Sequence, residues 1–340
     1  MGSTTPQPGR RFRMPGGHPA ATAQRVPSDR PAGAPRLAPV TTTRAPERLL
    51  VDVPGHPGAT LRVEVHHPEA PVTALFSSGL GLPLDLWHQV TDLLPDVRCV
   101  LFDRPGMGGS TPWHRVVDLP EEVDLLSTVL AAAGPDPDAA TPTAVVVGHS
   151  HGGLFAEGLA RTHPAVVRGL VLVDASDPVL EATRLQLGGP AATAAAWVAA
   201  RPWLAPLAKG FAATAVLVGG ATRPASEQAR RALETAYGQP AQLEATVAEL
   251  AAVGDDARAL VALSATHPLP DVPVQLVVAT RAGRPTRHRR GSWLRRMTDR
   301  AAQLGPGTVR IDVDSGHLVM LDAPDAVARA VRACLTAAGR

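Results

Sequence analysis

Apolar and polar positions along this chain follow two periods, and the switching between them gives the first map of the fold. Runs that alternate strictly, or that are apolar throughout over five to eight residues between Gly, Pro or Asp, predict strands. They fall at Leu49–Val53, Leu61–His66, Val72–Phe76, Arg98–Phe102, Thr143–Val147, Gly169–Asp174, Val272–Ala279 and Thr308–Val313. The first two form a hairpin turned at Pro54–Gly58. Stretches with helical spacing lie between the later ones, at Leu84–Leu94, Asp118–Ala132, Leu154–Thr162, Ser292–Leu304 and Pro324–Ala337. Acids at the start of Asp118–Ala132 suit the positive end of a helix. The continuous apolar character of Gly169–Asp174 belongs to a parallel sheet covered on both faces. Strand and helix alternating at this spacing make βαβ units, so the class is α/β: a mostly parallel central sheet flanked by helices.

The alternation stops at Asp177-Pro178 and resumes only at Val272. The intervening segment is rich in Ala and Leu and has helical stretches near 179–187, 191–218, 225–236 and 240–263, which predicts an inserted helical lid. Residues 1–46 are Pro-, Gly-, Ala-, Thr- and Arg-rich without apolar period, the composition of a basic disordered tail. The expected organisation is therefore tail 1–46, core 47–177, lid 178–270 and core 271–340.

Composition changes this picture little. Hydrophobic residues make up 45% of the 340, enough for a sizeable core, and a net charge of +2 argues against a nucleic-acid partner. The basic residues are almost all arginine, with Lys209 the only lysine; beside so much Ala, Pro and Gly this reads as coding bias. The eight arginines of segment 281–300, with the single Trp293, accordingly read as a solvated loop and helix. Cys99 in a strand and Cys334 in the last helix have no CxxC spacing and are expected in the core rather than in a disulfide or zinc site. No signal-like apolar segment or run of about 18 apolar residues is present, so a cytoplasmic chain without stable membrane insertion is expected. Neither metal nor cofactor is expected, and the oligomeric state stays open.

The chemistry concentrates at Gly148-His149-Ser150-His151-Gly152-Gly153, where a predicted strand meets a predicted helix. This is G-x-S-x-G at a strand-to-helix turn, the nucleophile elbow. So tight a turn leaves no room for side chains at 148 and 152, and it stands the serine oxygen at a helix N-terminus. A serine hydroxyl needs a base. His317, in Asp314-Ser315-Gly316-His317-Leu318 after the last strand, fits best. His149 and His151 flank the serine, and side chains so placed point away from it toward packing or the pocket wall.

Five pieces taken in order resemble the α/β-hydrolase superfamily over roughly residues 48–338: Ser78-Gly79-Leu80-Gly81, Asp103-Arg104-Pro105-Gly106-Met107-Gly108-Gly109-Ser110, the elbow, Leu170-Val171-Leu172-Val173-Asp174, and Ser315-Gly316-His317. The resemblance implies an oxyanion hole from the backbone N–H groups of Leu80 and His151. It implies that the Asp103 loop shapes the pocket. Two departures stand out. Relatives usually have His-Gly where this chain has Ser78-Gly79. Many also carry the triad acid after the strand matching Val272–Ala279, where Thr280-Arg281-Ala282-Gly283-Arg284-Pro285 follows here and no carboxylate appears until Asp299. Some relatives place the acid one strand earlier, which singles out Asp174, with Asp177, another acid or a dyad without one as the alternatives. The implied activity is a serine hydrolase cleaving a carboxylic ester or related acyl bond through an acyl-enzyme; the resemblance does not specify the substrate, and the apolar, charge-poor first half of the lid (Leu180, Leu185, Leu187, Trp197, Trp203) points to a small to medium apolar one. Ser150 is the nucleophile, His317 the base and Asp174 the acid. An acyltransferase and an inactive ligand-binding protein are the alternatives on the same fold.

Overall fold

The computed structural model describes residues 24–25, 45–134, 142–183, 216, 220–223, 225–281 and 290–339. All eight predicted strands form: β2 (Glu47–Asp52), β3 (Thr60–His66), β4 (Thr73–Ser77), β5 (Arg98–Phe102), β6 (Ala144–His149), β7 (Val167–Val173), β8 (Val274–Ala279) and β9 (Thr308–Val313). A two-residue strand β1 (Gln24–Arg25), inside the expected tail, pairs parallel with β9. The sheet order is β1-β9-β8-β7-β6-β4-β5-β3-β2. β3 runs antiparallel to β2 and to β5, and every other pairing is parallel.

Helices cover both faces, as the apolar runs in the central strands require. On one side lie α2 (Leu119–Ala133) and α3 (Gly152–Thr162), packed over Val146, Leu170 and Leu172. On the other, α1 (His88–Thr91), which continues a 3-10 turn at Leu84–Trp87, packs over Val145, Val147 and Val171. The α2 start has its predicted acids in a capping box: Asp118 accepts from the Glu121 N–H while the Glu121 carboxylate reaches back to the Asp118 N–H.

Between 178 and 270 the regular elements among the described residues are helices: α4 (Pro178–Ala182), α5 (Glu227–Tyr237) and α6 (Pro240–Thr266). The helix expected over 191–218 lies outside the described residues, Val216 excepted. The second half of the core adds α7 (Arg290–Leu304), a short α8 (Val319–Asp322) and α9 (Pro324–Ala338). No helix among the described residues is long and apolar enough to cross a membrane. Cys99 and Cys334 are free and buried. The carboxyl ends of β4, β6, β7, β8 and β9 open at one edge of the sheet, where open α/β sheets bind ligands.

Candidate active site

Ser150 sits between the end of β6 and the start of α3, with φ at +51°, a left-handed conformation that costs a non-glycine residue strain. The turn is held from β7: the Ser150 N–H donates to the Val173 carbonyl at 3.2 Å, and the Ser150 carbonyl accepts from Ser176 N–H at 3.0 Å. The flanking glycines have the predicted reason. A Cβ on Gly148 would lie 2.6 Å from the Gly152 oxygen, and one on Gly152 would lie 2.3 Å from the Ser78 oxygen.

Three predicted side chains come together here. Ser150 Oγ lies 3.0 Å from His317 Nε2, and His317 Nδ1 lies 2.7 Å from Asp174 Oδ2. His317 occupies the loop between β9 and α8. Asp174 directly follows β7 and is also left-handed, with φ at +38°. Its other oxygen, Oδ1, accepts from the Ala279 N–H at 3.1 Å and the Trp293 indole at 3.2 Å, with Arg290 Nη2 at 3.5 Å. Burial alone would raise the Asp174 carboxyl. The hydrogen bond and charge of His317, with the Arg290 charge, outweigh it and hold the group below its ordinary value. Asp177 does not join this line: its carboxylate caps α4, accepting from the Val179 and Leu180 N–H groups.

The flanking histidines point away from the serine, as expected. His149 is fully buried and donates from Nε2 to the His317 carbonyl at 2.9 Å. Burial, reinforced by the neighbouring His317, drives its pKa down to about 3, so it is neutral. His151 turns the other way, its Nε2 2.9 Å from Asp256 Oδ2 of α6. The loop that carries Leu80 lies against the elbow, since a Cβ on Gly79 would meet His149 Nδ1 at 2.6 Å. That loop is braced by Arg104, which donates to the Ser78 carbonyl at 2.5 Å and the Gly79 carbonyl at 2.8 Å. Glu249 of α6 accepts from Arg104 and, at 2.9 Å, from the Gly81 N–H. Tyr237 and Gln242 donate to the Gly81 carbonyl. Asp103 binds the Leu84 N–H and Arg62 and so ties its own loop together.

Residues ahead of α5 reach the histidine loop too. Gly220 accepts from the Leu318 N–H at 2.9 Å, and Asp322 accepts from both the Thr222 and Gly316 N–H groups. Sequence patterns do not reveal Arg104, Glu249, Asp256, Arg290 or Trp293, because their partners are remote in the chain. The arginine segment also differs from the expected solvated surface. Arg290 faces Asp174, and Arg300 is buried against Glu157.

A hydroxyl beside an imidazole that is backed by a buried carboxylate can pass its proton to the ring as the oxygen attacks, and the carboxylate offsets the charge that appears. Residues 74–330 match the family model described as the Alpha/beta hydrolase family. Lipase LipV of Mycobacterium tuberculosis is 33% identical over 114 residues, 34% of this chain and 41% of that protein. A pimeloyl-(acyl-carrier protein) methyl ester esterase of Yersinia enterocolitica is 35% identical over 99 residues, 29% of this chain and 34% of that protein. The matches thus span less than half the length of these curated relatives. Among solved structures, a thermophilic esterase from Thermogutta terrifontis superposes with a TM-score of 0.58 at 20% identity, covering 86% of this chain and all of that one. Cfl2 from Burkholderia cenocepacia superposes with a TM-score of 0.61 at 21% identity, covering 88% of this chain and 98% of that one; both likenesses are of fold. With the family model spanning most of the folded chain, from β4 into α9, the chain belongs to the alpha/beta hydrolase family.

Proposed function

We propose that the chain is a serine esterase that cleaves a carboxylic ester of a small to medium apolar substrate through an acyl-enzyme. The observation that carries this is the unbroken line Ser150 Oγ, His317, Asp174, with contacts of 3.0 and 2.7 Å. Ser150 attacks the ester carbonyl while His317 Nε2 takes its proton. Asp174 holds the other ring nitrogen protonated and balances the imidazolium. The N–H groups of Leu80 and His151 receive the oxyanion, the second at the N-terminus of α3, where the helix dipole adds to the hydrogen bond. His317 then returns the proton to the departing alcohol. In the second half it activates water, which releases the acid and restores Ser150.

Serine rather than aspartate at the elbow favours acyl transfer over chemistry that begins with carboxylate attack on an alkyl carbon. The relatives named as a lipase and a methyl ester esterase support an ester as the bond cleaved. The test is labelling of the purified chain by a fluorophosphonate, with turnover of p-nitrophenyl esters of increasing chain length. Labelling at Ser150 and turnover should both vanish in Ser150→Ala. Folded wild-type protein that neither labels nor turns over any of the esters overturns the proposal.

A further inference from the structure

A second cluster of chemistry-bearing groups lies away from the elbow, on the face of β3 opposite the core. Leu61, Val63 and Val65 of that strand enter the apolar core, so the alternate positions Arg62, Glu64 and His66 share the other face, where α1 lies over them. There Glu64 is fully buried, and His88, the first residue of α1, places Nε2 2.9 Å from Glu64 Oε2. His66 Nε2 lies 3.5 Å from the same oxygen. One ligand atom from each of Glu64, His66 and His88 falls within 4.8 Å of the others.

The decisive detail is the state of His66. Thr91 Oγ1 donates its proton to the His88 carbonyl at 2.9 Å, so toward His66 Nδ1, 3.2 Å away, it can only accept. With the Thr91 proton so placed, a neutral His66 carries its own on Nδ1 and turns the bare lone pair of Nε2 toward Glu64. The buried Nε2 has no hydrogen-bond partner. A lone pair facing a carboxylate oxygen is a repulsive arrangement that asks for a cation between the two. An Nδ1–H anchored to a hydroxyl, with Nε2 free, is also the way proteins orient a metal-binding imidazole.

We propose that Glu64, His66 and His88 bind a divalent transition metal of the zinc type. Zinc takes imidazole nitrogen and carboxylate oxygen at about 2.0–2.2 Å, which sets ligand atoms roughly 3.3 Å apart in a tetrahedron. The 2.9 and 3.5 Å separations are already close to that, and the third is within 4.8 Å. To ligate through Nε2, His88 gives up its hydrogen bond to Glu64 and moves its proton to Nδ1, where the Gln228 amide must turn its oxygen in to accept in place of the nitrogen that now donates there. Arg62 and Arg48 both sit on the far oxygen of Glu64; Arg62 is matched by Asp85 and Asp103, and Arg48 is mostly exposed, so the near oxygen stays open to a metal cation. Both histidine side chains keep a small edge at the surface, which gives the ion a route in. The ion would pin α1 to β3, just beyond the loop that carries Leu80.

The test uses untagged full-length protein stripped with chelator and titrated with zinc chloride against a chromogenic competitor. One equivalent should bind, and Tm should rise by about 5 °C at a hundredfold excess over Kd. His66→Gln and His88→Gln should each weaken binding at least tenfold, whereas Ser150→Ala should bind as wild type does. Zinc should also protect His66 and His88 of the unmutated chain from diethylpyrocarbonate, read by peptide mass spectrometry, a measurement that does not depend on either variant folding. Absence of stoichiometric binding, binding retained in both folded variants, or no protection of these two histidines each overturns the proposal.

Discussion

Asp174→Asn is the sharpest probe of the proposed mechanism, because the two residues are nearly isosteric and the site discriminates between them by hydrogen. Asparagine keeps a carbonyl oxygen for the Ala279 N–H and the Trp293 indole, so the local fold has its acceptor. Its amide NH2 then faces His317 Nδ1 across the 2.7 Å contact, and two donors cannot share one hydrogen bond. The ring must move its proton to Nε2, which points that proton at Ser150 Oγ, 3.0 Å away, and removes the base. The carboxylate charge is lost as well. At a separation of roughly 4 Å and an effective dielectric of about 20, an imidazolium–carboxylate pair is worth about 4 kcal/mol. Together these agree with the fall of about 10⁴ in kcat seen when a triad aspartate is amidated, or about 5 kcal/mol of barrier. The assay is kcat for a p-nitrophenyl ester across pH 6 to 9, with Tm as the check on folding. Asp177→Asn, which keeps an α4 cap of similar strength, should leave kcat within threefold or so. If Asp174→Asn stays within tenfold of wild type while folded, or if Asp177→Asn gives the large loss, the assignment of the acid is wrong.

Three further outcomes follow from the same geometry. Arg104→Lys carries a single point charge where Arg104 bridges two carbonyls and Glu249, so kcat should fall by about tenfold or more with KM little changed, measured by steady-state kinetics. Gly152→Ala must push the Leu80 loop off the elbow, because its Cβ would lie 2.3 Å from the Ser78 oxygen; a stability loss of about 1–3 kcal/mol by urea unfolding, with activity abolished, is expected. His149 makes stability pH-dependent with a definite sign. Its pKa is about 3 in the folded chain and about 6.5 unfolded, so below pH 6.5 the unfolded chain takes up a proton that the folded one refuses. Stability from this group is complete above pH 7 and falls as pH drops toward 3, by about 2 kcal/mol at pH 5. Urea titrations at pH 7 and pH 5 should show that loss in wild type and a smaller one in His149→Asn.

What the sequence reveals here is whatever is local. Each strand shows in five to eight consecutive residues, and the elbow shows because glycines two positions either side of a serine report a backbone clash that only that turn creates. Ser150, His317 and Asp174 stand out as candidates because Ser150 and Asp174 directly follow strands whose period is plain, and His317 lies in the short loop after another. The helix bounds were less so: Leu84–Leu94 reads as one helix but forms a 3-10 turn, a single α-helical turn and then non-helical residues. Contacts between distant elements leave no period. Arg104 and Glu249 are 145 residues apart, and His151 and Asp256 are 105 apart. Discounting arginine as coding bias was sound for composition and misleading for position, since a guanidinium in the core must be paired whatever codon bias put it there. Glu64, His66 and His88 escaped notice for a similar reason. Two lie on a strand and one on a helix, and only the fold makes them neighbours.

The missing histidine of the usual His-Gly pair connects these observations. A loop that must present one backbone N–H to a developing oxyanion needs its carbonyls fixed, because a peptide plane free to rotate carries its N–H with it. Here the fixing group is Arg104, buried beneath the loop and held by Glu249. Glu249 lies on α6, the same helix whose Asp256 holds the His151 side chain beside the second N–H. Nearby Glu122 has no hydrogen bond at one oxygen, and burial, aided by the charges of Glu249 and Asp256, outweighs Arg104 and raises it well above the ordinary carboxyl value. One helix of the insertion therefore grips both donors of the proposed oxyanion hole, through two buried polar contacts about two turns apart. If Leu80 and His151 donate as proposed, substitutions at Glu249 or Asp256 of α6 act on the proposed chemistry through backbone geometry, at a distance from the reacting atoms.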